Sequence, residues 1–102
     1  MKISKAKIDK IKEGILSILY RNSPKSLFTV DVAAEMIRDE EFIKKILLEL
    51  EKQKLVIAVK KNPEGINYQR RIRWRLSTKA YEAYSKITET KIEYDEKEHT
   101  YI

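Results

Sequence analysis

Residues 71–76 read Arg71-Ile72-Arg73-Trp74-Arg75-Leu76, a strict alternation of cation and apolar side chain. An extended strand turns that pattern into two faces, because successive side chains point to opposite sides: three guanidiniums on one, Ile72, Trp74 and Leu76 on the other. The apolar face can enter a core, while the other carries always-charged planar forks whose geometry matches phosphate. Upstream, Lys60-Lys61 leads into Asn62-Pro63-Glu64-Gly65, with proline and glycine at the second and fourth positions of a type I turn. A strand over 55–59 pairing with one over 68–76 therefore makes a cationic hairpin. Such a hairpin is an electrostatic footprint for a polyanion, though the same arginines also suit a solvated edge strand guarded against aggregation.

The remainder of the chain reads as helices. Ile8, Ile11, Ile15, Ile18 and Leu19 recur at helical spacing, giving an amphipathic helix over 4–21 that Asn22-Ser23-Pro24 ends. Leu27-Phe28-Thr29 has room for a bridging strand. A short helix follows, opened by Thr29 or Asp31 and burying Val32, Ala33, Met36 and Ile37. Asp39 is a good N-cap for a third helix, with Glu40 and Glu41 favourable in its first turn. Ile43, Ile46, Leu47 and Leu50 form its i, i+3, i+4, i+7 stripe, and the helix ends near Lys54. Ser77 or Thr78 caps a last helix that buries some of Ala80, Tyr81, Ala83, Tyr84 and Ile87.

A chain of 102 residues holds one domain with a modest core. We place that domain over 1–88 and an acidic C-terminal tail over 89–102. With no cysteine there is no disulfide, thiolate metal site or thiol nucleophile, and with no signal-peptide-like or membrane-length apolar run a cytoplasmic protein is expected. The net charge of +6 is uneven. Residues 1–21 carry six basic and two acidic groups, whereas residues 60–79 carry seven basic and one acidic. Residues 80–102 carry three basic and six acidic. The first helix and the hairpin are thus the anion-facing surfaces.

Three helices, a β-hairpin and a further helix is the order of a winged helix-turn-helix, a mostly helical α+β fold. Leu47-x-x-Leu50-Glu51-x-x-x-Leu55-Val56 resembles a recognition helix running into the first wing strand. Trp74-Arg75-Leu76-Ser77-Thr78-Lys79-Ala80 is similar to the aromatic-Arg-Leu-Thr-x-x-Gly passage of MarR- and PadR-type transcriptional regulators, with Ala80 where glycine is usual. The resemblance spans residues 4–88. It implies duplex DNA as partner, the third helix in the major groove, the wing tip along the backbone or minor groove, and a homodimer through the terminal helices.

The candidate nucleic-acid contacts are Lys60, Lys61, Tyr68, Arg70, Arg71 and Arg73 on the wing and Lys44, Lys45 and Lys52 on the third helix. Setting the apolar stripe inward puts Glu41, Lys45, Leu48 and Lys52 outward with Lys44 on the flank, a face without Arg or Asn for bidentate base reading. Glu40 and Glu41 repel phosphate there, so the wing should carry more of the binding than the helix. Arg75 has a structural reading as well as a phosphate one. Asn67, Tyr68 and Gln69 lie near the turn, where Tyr68 either stacks on bases or caps the hairpin. Lys2, Lys5, Lys7, Lys10 and Lys12 read first as a solvated helix face. Trp74 reads as core, and Leu48 as either a chance surface residue or a partner contact.

His99 stands with Asp95 and Glu98 at helical ligand spacing, but in a stretch read as solvated, and no metal or cofactor is expected. Nor is catalysis: the chain has no glycine-rich phosphate loop and no nucleophile elbow. Two other readings stand beside DNA binding. One is an RNA-binding winged helix like some ribosomal proteins; the other is a protein-interaction winged helix using the acidic third helix and Leu48. A membrane partner is not expected, and any small-molecule effector is unread.

Overall fold

The computed structural model describes residues 3–60 and 72–87. Helix α1 spans Lys5–Asn22, and Ser4 caps it by accepting from the Lys7 backbone N–H at 3.3 Å. Ser4 adopts extended backbone, which lets its hydroxyl satisfy one of the first-turn donors that have no partner inside the helix. At the far end Asn22 and Ser23 donate side-chain hydrogen bonds to the carbonyls of Ile18 and Leu19, at 2.8 and 3.0 Å, closing the last turn.

A two-residue strand, β1 (Leu27–Phe28), runs directly into helix α2 (Thr29–Met36). Thr29 does not cap this helix as the sequence suggests. Phe28 occupies the cap position, and Asp31 reaches back to accept from its N–H at 3.3 Å. Helix α3 spans Glu40–Lys52 and is capped by Asp39, whose carboxylate accepts from the Phe42 N–H at 3.2 Å. Strands β2 (Val56–Val59) and β3 (Arg73–Leu76) follow. A further helix, α4, occupies residues 78–87, with the Ser77 hydroxyl accepting from the Ala80 N–H at 3.1 Å.

Among the described residues the sheet is antiparallel in the order β1-β3-β2. Leu27 pairs with Trp74 and Phe28 with Arg73; on the other side Val56 pairs with Leu76 and Val59 with Arg73. The cation-bearing strand is therefore central, not an edge. Directly paired residues share a face, so Trp74, Leu76, Leu27, Val56 and Ala58 turn inward, while Arg73, Arg75, Phe28, Ile57 and Val59 turn outward.

The inward face closes over the three helices. Ile11, Ile15 and Leu19 of α1, Val32 and Ala33 of α2, and Ile43, Ile46, Leu47 and Leu50 of α3 join Val56, Trp74 and Leu76 in one buried cluster. Trp74 is fully buried, and its indole N–H donates to the hydroxyl of buried Thr29 at 2.8 Å. A tryptophan can sit in a core only if that N–H finds an acceptor, and Thr29 supplies it from the first turn of α2. Ion pairs tie α1 to its neighbours at the surface, Lys12 to Glu49 at 3.6 Å and Arg21 to Glu35 at 3.5 Å.

One expectation about burial fails. Ile37, expected in the core, is 91% exposed. It sits just past the end of α2 with a left-handed φ of 54°, donating to the carbonyls of Ala33 and Ala34, and Arg38 N–H also reaches Ala33. This is a Schellman closure with isoleucine where glycine is usual. The left-handed residue leaves the helical path, which turns its side chain off the apolar stripe. Of the residues offered by helix α4, Ala80 and Tyr84 are half-buried, whereas Tyr81, Ala83 and Ile87 are exposed.

Two stability changes follow from these contacts. Thr29→Val, isosteric but without an acceptor, should lower unfolding free energy by about 1–3 kcal/mol by stranding the indole N–H, and Thr29→Ser by less. Ile37→Gly should raise it by about 1 kcal/mol, since a left-handed L residue costs about 1–2 kcal/mol and an exposed isoleucine contributes little burial. Denaturant midpoints at constant m-value check both.

Candidate nucleic-acid interface

Helices α2 and α3, joined through Ile37, Arg38 and Asp39, form a helix-turn-helix unit held against α1 and the sheet. With Ile43, Ile46, Leu47 and Leu50 buried, the 100° step of the helix places Glu41, Lys45, Leu48 and Lys52 within a fan of about 60° on the opposite side. All four are exposed, as is Lys44 beside them. The structure thus brings the three candidate lysines of this helix onto one open surface. Glu40 and Glu41 are exposed at its leading end, offsetting the positive end of the helix dipole.

Sequence reasoning missed Arg38. It is exposed in the turn before α3, and its guanidinium lies over the Phe42 ring, 5.9 Å from the centroid. That contact presents a cation beside Glu40 and Glu41. The four-residue spacing of arginine and phenylalanine was its only signal, and it does not mark function.

The wing is only partly within view. Lys60 is exposed where β2 ends; because Val59 pairs with Arg73, it leaves the sheet at the same end at which β3 begins. Lys61, Tyr68, Arg70 and Arg71 lie outside the described residues, as do Asn67 and Gln69, the Asn62–Gly65 turn, and the tail with its His99 group. Arg73 departs from the open clamp expected of it. Strand β1 flanks it, leaving it half-buried, with its guanidinium over the Phe28 ring at 5.7 Å. Its outward face is therefore shared with an aromatic ring, and its Nε is buried. Arg75 is also half-buried and borders a hollow of about 350 Å³, with Ser23, Pro24, Leu76, Thr78 and Tyr81 as the other walls.

Beside that hollow, Tyr20 of α1 packs between Tyr81 and Tyr84 of α4, with ring centroids at 5.2 and 4.8 Å, and its hydroxyl lies 3.2 Å from that of Ser85. This aromatic group fastens α4 to the end of α1, leaving Tyr81 43% and Ile87 66% exposed. Among the described residues no group of three or more His, Asp or Glu side chains is placed to hold a metal ion, and no helix is long and apolar enough to cross a membrane.

No protein-family model matches the chain, and no curated protein matches it in sequence. Solved structures do match in shape. MepR, a transcription regulator of the Staphylococcus aureus multidrug efflux pump MepA, superposes with a TM-score of 0.68 at 20% identity, covering 96% of this chain and 75% of that one. MepR in its complex with DNA superposes at 0.65 with 21% identity, over 93% of this chain and 77% of MepR. A double mutant of Lactococcus lactis ZitR in its apo form gives 0.61 at 16% identity, over 95% of this chain and 70% of that one. The chain has the winged helix-turn-helix fold of these proteins, as the order of its elements implied.

Proposed function

We propose that this chain is a non-enzymatic, duplex-DNA-binding regulator of transcription. The observation that carries the reading is the outward face of α3, where Lys44, Lys45 and Lys52 stand exposed on the helix that winged helix-turn-helix proteins lay over the major groove. The likeness to MepR, which has been seen bound to DNA, supports it. So does the sequence of residues 60–79, with seven basic groups and one acidic.

In this mechanism phosphate charge is neutralised and condensed counterions are released. Lys60, Lys61, Arg70 and Arg71 follow the backbone from the wing, with Tyr68 beside them, and Arg73 contributes from its stack on Phe28. Arg38 meets a phosphate at the start of α3, with Lys44, Lys45 and Lys52 along it. The chain acts as a cytoplasmic homodimer through α1 and α4, for which exposed Tyr81 and Ile87 supply apolar area. Residues 1–88 form the binding domain and residues 89–102 an acidic appendage. Neither a cofactor nor a membrane is involved.

Duplex binding should weaken steeply with salt. Replacing Lys44, Lys45 and Lys52 together with alanine should reduce the log–log salt slope by about 0.9 for each lysine that meets a phosphate. Glu41→Gln should instead strengthen binding to arbitrary sequence modestly, because it removes an exposed like charge that salt screens over about 8–10 Å. Fluorescence anisotropy across a salt series reads both effects, and an unchanged slope in the triple variant would reject the α3 interface. Competition with RNA at the same salt tests the RNA reading.

Sedimentation at micromolar concentration should give twice the 12.1 kDa chain mass. Tyr81→Glu with Ile87→Glu should return the monomer, and a monomeric wild type would remove the dimer.

A further inference from the structure

Leu48 occupies the middle of the open face of α3. It is 38% exposed, with Lys44 and Lys45 at i−4 and i−3 and Lys52 at i+4, while Glu41 lies one heptad ahead. The fan from Glu41 to Lys52 contains no Arg, Asn, Gln, Ser or Thr. It therefore holds none of the side chains that grip a purine edge bidentately, apart from lysine's attraction to guanine. Its cations are points of charge on flexible stems, suited to phosphate more than to base identity. The one large apolar side chain in that fan sits on a helix anchored by the buried Ile43, Leu47 and Leu50.

The major groove offers an apolar feature at one base, the 5-methyl group of thymine. An apolar side chain ringed by lysines suits such a contact: the cations hold the flanking backbones while the centre rests on the groove floor. We infer that Leu48 is a specificity-determining residue that reads a thymine methyl in the major groove. This rests on the DNA-binding function proposed above. A protein partner for the same face is the competing outcome, but a ring of three lysines is a poor rim for the apolar core of an interface, where lysine is depleted.

The test separates the two levels. Duplex sites are selected from a randomised pool with the wild-type chain, then resynthesised with uracil replacing thymine one position at a time. Uracil pairs as thymine does and lacks only the methyl. At one position of each half-site the exchange should weaken wild-type binding about fourfold, the value of one buried methyl-sized group. Leu48→Ala should bind the thymine and uracil versions of that position alike. A circular dichroism melt confirms that the variant is folded, as expected for a surface position. Wild-type indifference to uracil at every position, or full discrimination kept by Leu48→Ala, overturns the role of Leu48 while DNA binding stands. Failure of the wild type to bind any duplex overturns both.

Discussion

The hydrogen bond from the Trp74 indole to Thr29 joins the two halves of this molecule. Trp74 belongs to the central strand of the sheet and Thr29 to the first turn of α2, and both are buried. A buried indole without an acceptor carries a desolvation penalty of about 1–3 kcal/mol, so the strand can sit deep in the core only where α2 begins at Thr29. The bond agrees with the register of β1 against β3, in which Leu27 lies opposite Trp74 and the chain enters the helix two residues later. The first turn of α2 is thereby tied directly to the central strand of the sheet.

The same packing decides how charge is displayed. Because β1 and β2 both pair with it, Arg73 is half-buried and lies against Phe28 instead of projecting alone. A guanidinium stacked on a ring keeps its charge while losing conformational freedom in advance, so less entropy remains to be lost when it meets an anion. The lysines of α3 have no such support among the described residues. The two surfaces differ in kind: one presents a planar cation stacked on a ring, the other ammonium groups on long stems around an exposed leucine.

Much of the architecture was legible in the sequence. The stripe of Ile43, Ile46, Leu47 and Leu50 fixed both the inward and the outward faces of α3, because a 3.6-residue period admits one solution. The alternation around Trp74 did the same for β3. What escaped was non-local or depended on a single backbone angle. A two-residue strand carries no periodic signal, so the pairing of Phe28 with Arg73 was invisible, and with it the half-burial of that arginine. Ile37 fitted the apolar pattern of α2 but lies one residue past the helix, where a left-handed turn points it outward. Lys54, also left-handed, ends α3 in the same way, with Leu55 N–H reaching the Leu50 carbonyl at 3.0 Å. Neither site has the glycine that usually marks such a closure.

The central position of β3 also orders events during synthesis. Translation finishes α1, α2 and α3 well before Trp74 is added, and at roughly 5–20 residues per second the interval lasts on the order of seconds. Throughout it, the inner faces of those helices and the Thr29 hydroxyl lack the strand that covers them. The nascent chain thus carries an uncovered apolar surface until Trp74 clears the ribosome. The domain closes by inserting a late strand between two that were made earlier.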